Sequence, residues 1–158
     1  MANTQSMCTS FLGELMTATH NFGTAPTRGT SAADTFKAAL YLTTATINAS
    51  TTAYSATGEV TGTNYSAGGT TITNATPPAS TNSSSTAGVG YWTPSASITY
   101  TNVTLSTAFD SVLVYNSTQS NKAVSVHTFG SQTITAGNFT LTMPSNTTTT
   151  ALLRLSTT

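Results

Sequence analysis

Few residues in this chain are equipped for chemistry. Its 158 residues include four acids (Glu14, Asp34, Glu59, Asp110), two histidines (His20, His127) and one cysteine, Cys8. Glycoside hydrolysis needs two carboxylates flanking one bond, and no spacing among the four acids suggests such a pair. Nucleophilic catalysis needs a hydroxyl or thiol beside a base that a third group holds in place. Hydroxyls abound, but neither histidine stands in a nucleophile-elbow pattern. His20 reads as a dipole partner or surface residue at a helix end. His127 reads as a strand histidine facing solvent or a partner hydroxyl. A single cysteine makes no internal disulfide and no zinc site of the Cys-rich kind, so Cys8 reads as a small apolar residue. The Gly-punctuated stretch 58–69 lacks the lysine and the following helix of a phosphate loop. No enzymatic activity, cofactor or metal is expected.

The elements that would position these groups are mostly strands. Residues 34–73 organise the chain, with a strand expected over 35–42, a long polar connection, and then the Gly-rich segment. Ile72 centres a short strand over 70–74, and another is expected over 59–63. Residues 76–90 read as a surface loop, after which Tyr91 and Trp92 return to the core. Residues 97–105 alternate, with a change of apolar face near Asn102 that suggests a bulge or a strand buried on both sides. The run 111–115 is apolar throughout, as in a central strand covered on both sides. A polar turn over 116–121 leads to an alternating partner over 122–129. Further strands are expected over 138–143, stopped by Pro144, and over 151–155. Before all of these, Phe11, Leu12, Leu15 and Met16 repeat at helical spacing, a stripe that must dock on the chain's own sheet or on a neighbouring subunit. Thr9 or Ser10 would cap that helix, and Glu14 would lie near its first turn.

About eight to ten short strands separated by turns predict an all-β fold. The expected form is an antiparallel β-sandwich, jelly-roll or Ig-like, with a short N-terminal helix or arm. The expected division is a helical arm over 1–22 and one sandwich domain over 23–158.

Composition narrows the function. Charged residues make up 5% of the chain, against roughly 25% in ordinary soluble domains. Thr and Ser together exceed a third of it. Disordered chains are usually highly charged and poor in aromatic residues, whereas this one has six Tyr, six Phe and one Trp. Threonine suits strands, because its branched Cβ packs on a pleated surface while its hydroxyl stays in water. Nucleic-acid binding needs clustered cations, and Arg28, Lys37, Lys122 and Arg154 are scattered, so no nucleic-acid partner is expected. No apolar run approaches the length of a membrane span and no signal peptide is visible, so no membrane partner is expected. A net charge of zero removes repulsion between copies and suits dense assembly. Tyr54, Tyr65, Tyr91 and Trp92 would serve as stacking platforms for a glycan, or as core and interface residues.

Several of these stretches together resemble one family. The N-terminal helical lead and the strand opening Asp34-Thr-Phe-Lys-Ala-Ala-Leu-Tyr41 are similar to those of small tailed-bacteriophage virion structural proteins. Tyr54 with Gly58-Glu59-Val60-Thr61-Gly62, and then Tyr65-Ser-Ala-Gly68-Gly69, resemble their Tyr-x(4)-Glu-Val-x-Gly and Tyr-x-Ala-Gly-Gly signature. Val112-Leu-Val-Tyr115-Asn116 followed by Asn121-Lys122-Ala123 resembles their late strand pair. The resemblance implies a non-enzymatic particle component, a capsid decoration (cement) protein that bridges shell subunits. The implied alternative is a tail, adaptor or fibre-associated component. The implied partners are the major capsid protein or other virion proteins, and further copies of the chain. The implied location is the virion, assembled in the host cytoplasm. In this reading Phe11, Leu12, Leu15 and Met16 are the candidate docking residues.

Overall fold

The β-branched second half of the chain forms two long strands, and the rest of the molecule is arranged against them. In the computed structural model, which describes residues 3–23, 33–81 and 88–157, these strands are β6 (Ile98–Asn116) and β7 (Lys122–Leu141). The other elements are β1 (Ser6–Met7), α1 (Thr9–Met16), β2 (Phe36–Leu42), β3 (Thr70–Thr71), β4 (Ala79–Ser80), β5 (Val89–Trp92) and β8 (Leu153–Ser156). One antiparallel sheet has five strands in the order β1-β7-β6-β2-β3, and a second has three in the order β4-β5-β8. The expectation of a mostly β, sandwich-like fold with a short N-terminal helix is met.

β6 and β7 form one hairpin that runs from the pair Asn116↔Lys122 to the pair Ile98↔Leu141. Ser120 and Asn121 close its turn with positive φ. Residues 97–105 and 111–115, read from sequence as separate strands, are parts of one strand, and 122–129 and 138–143 are parts of its partner. The breaks read between them are register shifts within continuous pairing. One shift follows Tyr100, where Asn102 has a φ of 50°, so the bulge expected there is present. Bulges bend a ribbon without ending it, and this ribbon curls back on itself. Phe139 pairs with Tyr100, yet its ring centroid is 5.0 Å from that of Phe109 much further along β6.

β2 packs between β6 and the Gly-rich segment. It is buried along most of its length, and residues 111–116 of β6 are buried at every position. This is the continuous burial that an interior strand with both faces covered requires. The outer edge of β2 is not left open. Val60 N donates to Leu40 O (3.0 Å), Leu42 N to Gly58 O (2.9 Å) and Ile72 N to Phe36 O (2.9 Å). Edge strands with unpaired backbone groups invite association, and residues 58–72 close this one. The same segment reaches the bent half of β6, where Thr63 and Thr104 exchange two backbone hydrogen bonds of 3.1 Å.

The N-terminal residues are stitched into this fold. β1 pairs with β7, and Cys8, Phe11 and Phe22 lie in the core with Phe36 and Trp92. Neither Thr9 nor Ser10 caps α1. The cap is Cys8, without a side-chain bond, and Thr9, already in the first turn, donates its backbone N–H to Ala49 O at 2.8 Å. Glu14 lies beyond the first turn. The expected loop over 76–90 contains β4 and the start of β5, and its residues 82–87 lie outside the described residues.

Two glycines of the signature are dictated by contact. A Cβ on Gly69 would lie 1.7 Å from Ala38 O, and its φ is +71°. A Cβ on Gly62 would lie 2.0 Å from Thr104 O. Gly69→Ala is therefore expected to cost at least about 3 kcal/mol, from left-handed strain plus overlap. Gly130→Ala, where a Cβ meets nothing within 4 Å, should be neutral or gain up to about 1 kcal/mol. Urea unfolding of the two variants checks the contrast.

Candidate functional site

Each of the four acids accepts hydrogen bonds from its own chain. Glu59, 7% exposed, takes three. Tyr54 Oη donates to Oε2 at 2.6 Å, Tyr65 Oη to Oε1 at 2.7 Å, and Gly68 N to Oε1 at 2.8 Å. Burial, and then the adjoining carboxylate, hold the phenols of Tyr54 and Tyr65 far above the usual tyrosine range, so both remain donors. Tyr65 Oη in turn accepts from Leu40 N at 3.0 Å. Tyr54 stacks on Tyr115, and Tyr65 stacks on Tyr100. Tyr115 Oη donates to Gly68 O at 2.8 Å, and Tyr100 Oη donates to Ala38 O at 2.7 Å. Tyr54, Glu59, Tyr65 and Gly68 thus form one hydrogen-bonded unit that fastens residues 54–69 to β2 and β6.

A second polar cluster joins the N-terminal residues to the hairpin turn. The backbone N–H groups of Thr118 and Gln119 point at Asn116 Oδ1, which identifies that atom as the acceptor. Asn116 Nδ2 therefore donates, to Asp34 Oδ2 at 2.7 Å and to His20 Nδ1 at 3.0 Å. With Nδ1 accepting, the ring hydrogen of neutral His20 is on Nε2, 2.7 Å from Glu14 Oε2. Lys122 Nζ reaches the other Glu14 oxygen at 2.6 Å. Burial would raise the Glu14 carboxyl, but the bonds from Lys122 and His20 prevail and hold it below its ordinary value. His20 was expected as a dipole partner or surface residue. Instead its side chain is fully buried, 5.0 Å from the Phe11 ring. Asp34 also accepts from Asn21 N and Gln119 Nε2, and Asp110 accepts from Asn3 Nδ2 at 2.7 Å.

His127 meets a partner hydroxyl, as its place in the alternation predicts. Its Nε2 and Ser125 Oγ share a 2.8 Å hydrogen bond. Burial pushes its ring down to about 4. It borders an apolar recess of about 270 Å³ between the two ends of the curled hairpin, lined also by Ile98, Val114, Phe139 and Leu141. Cys8 is fully buried and burial pushes its thiol up to about 11, which keeps it protonated and unreactive.

The four helix residues singled out from sequence divide. Phe11 is 2% exposed and belongs to the chain's own core, and Leu15 is half-buried against it. Leu12 and Met16 face outward. Beside them, Trp92, Tyr91, Phe22 and Leu155 line a recess of about 130 Å³. Trp92, one of the four aromatics considered for glycan stacking, is 2% exposed, and its Nε1 donates to Asn74 Oδ1. Among the described residues, no group of three or more His, Cys, Asp or Glu is placed to hold a metal ion. Among the same residues, no helix is long and apolar enough to cross a membrane.

Two predictions follow from the buried groups. Glu59→Gln turns an amide hydrogen pair toward donors that need an acceptor, and should cost about 2–4 kcal/mol in chemical denaturation. His127 is held below the ordinary value of 6.5 for histidine, so its unfolded form binds a proton that the folded form refuses. Stability is therefore lost as pH falls from about 6.5 to about 4. His127→Gln should flatten the dependence of Tm on pH in that window, and an unchanged slope would refute the assignment.

No family model, curated protein or solved structure matches the chain.

Proposed function

We propose that this chain is a structural subunit of a tailed-bacteriophage virion, and that it decorates the capsid. It would reinforce the head by bridging neighbouring subunits, with the major capsid protein and its own copies as partners. The observation that carries the reading is where the acids and histidines point. All four acids and both histidines are engaged by the chain's own hydrogen bonds. The acids serve to hold segments together, and the surface is left largely to uncharged hydroxyl and amide groups around an apolar patch, with Arg154 exposed among them. Such a surface offers directional hydrogen bonds and apolar burial to a close neighbour without charge repulsion. The resemblance to small virion proteins supports the same reading, since its signature residues have architectural roles here.

Particle composition tests it. Hundreds of copies per virion are expected for a shell component, whereas a few or a dozen would move the protein to the tail or an adaptor, and none would end the proposal. Removing residues 1–22 would also remove Cys8, Phe11 and Phe22 from the core, so the docking face is better tested by point changes. Leu12→Asp with Met16→Asp should lower occupancy on capsids at least about tenfold while the variant keeps its Tm. Wild-type occupancy of the double variant would remove α1 from the contact.

A further inference from the structure

We propose that the cleft bordered by β1 and β8 takes an extended, acidic segment of a partner protein, which adds to β8 as a further strand and sets a carboxylate on Arg154. The proposal deepens the virion reading by naming what a neighbouring subunit presents, and it rests on that reading for the partner's identity. β1 is the last strand of the larger sheet and β8 the last strand of the smaller one. Both border one cleft of about 470 Å³, lined by Gln5, Ser6 and Met7, by residues 125–127 of β7, and by Leu153 and Arg154 of β8, among others. Ligand pockets run from about 300 to 1,000 Å³, so this cleft holds more than one side chain.

The backbone determines that the partner is a strand. In an antiparallel pair a residue turns its N–H and C=O together, either toward the neighbouring strand or away from it. Cys8 N donates to Val124 O and Ser6 stands opposite Val126, so Met7 between them is turned away from β7. Thr157 N donates to Gly88 O, and the register continues through Leu155↔Gly90 and Leu153↔Trp92, so Arg154 is turned away from β5. Among the described residues, no backbone hydrogen bond reaches Met7 or Arg154 from outside these two pairings. A terminal strand presents such groups as a template for another strand. A peptide that binds in this way gains its affinity from main-chain hydrogen bonds and its specificity from its side chains.

Charge determines what that strand carries. Arg154 is exposed, and its guanidinium makes one long hydrogen bond, from Nη1 to Thr148 O at 3.5 Å. Among the described residues the ion pairs are those of Glu14 with His20 and Lys122, and no acid lines the cleft. A planar guanidinium with most of its N–H groups unspent matches a carboxylate, which takes two of them at once. The residue directly opposite Arg154 on an added strand would point its side chain to the same face, where opposite charges attract. An aspartate or glutamate at that position is what this edge selects.

Amide NMR of the isotope-labelled full chain tests the proposal. The probe is a short synthetic peptide of alternating valine and threonine with one central aspartate, titrated to millimolar concentration. The same peptide with asparagine, and free acetate, are titrated beside it. The aspartate peptide should shift the amides of Met7 and of residues 153–156, and should bind at least about threefold more tightly than the asparagine peptide. Arg154→Gln, a change at an exposed position, should keep its Tm and erase that difference. No shift at these amides overturns the proposal, as do equal binding of the two peptides by the wild type and a difference that survives in Arg154→Gln. Acetate that shifts the same amides as strongly would reduce the cleft to an anion site and overturns it too. The count of copies per virion is independent of these readings. Peptide binding by a protein absent from the particle would sink the virion proposal and leave the acidic strand standing. A protein abundant on capsids that binds neither peptide would do the reverse.

Discussion

A carboxylate removed from water must receive its hydrogen bonds from the protein, and Glu59 shows how much structure that requirement can organise. Its two oxygens take two phenols and one backbone amide. To supply them, residues 54, 65 and 68 must converge on one point, which folds the whole segment back over itself. That folding lays residues 58–60 along the open edge of β2 and carries residue 63 across to β6. Close approach then excludes side chains at Gly62 and Gly69. The edge that would otherwise recruit foreign strands is closed by a loop held from within.

The Asn116 cluster solves the same problem differently. A buried amide, fully enclosed, links Asp34 and His20, and through His20 it reaches Glu14 and Lys122. The link joins the N-terminal residues, the start of β2 and the turn of the long hairpin. Such a cluster is stabilising only when every member is satisfied. With few acids to place, the chain puts each where it fixes one segment against another. A sparsely charged exterior is the other side of that arrangement.

Much of the fold was legible in local pattern. The alternation of residues 35–42, the apolar run at 111–115 and the polar turn after it correspond to β2, the interior of β6 and the hairpin turn. The change of face at Asn102 correctly marked a bulge. What escaped was long-range. Register shifts look like strand ends in a sequence, because alternation fails at each of them, so the continuity of β6 and β7 was hidden. Neither Thr9 nor Ser10 caps the helix because Cys8 takes that place with no side-chain bond, and so leaves no mark in residue type. Phe11 looked like part of a docking face because helical spacing says which residues share a side, and not which side is covered. Glu59 carried a signal that went unused. It is the one charged residue between Lys37 and Asp110, and a lone acid flanked by tyrosines in such a stretch suggests enclosure. Asn116 had no such mark, since a polar run before a turn reads as solvent-facing.

The order of strands in the larger sheet has a consequence for how a ribosome releases this chain. β1 and β2 come first, yet their partners are β7 and β6, which are synthesised late. Until the hairpin has emerged, Phe11, Phe22 and Phe36 have little but one another to pack on. Pairings between such distant residues form slowly, and a nascent chain meanwhile displays apolar surface. The hairpin, closed by a short turn, is the part able to form first, and the N-terminal third then condenses onto it.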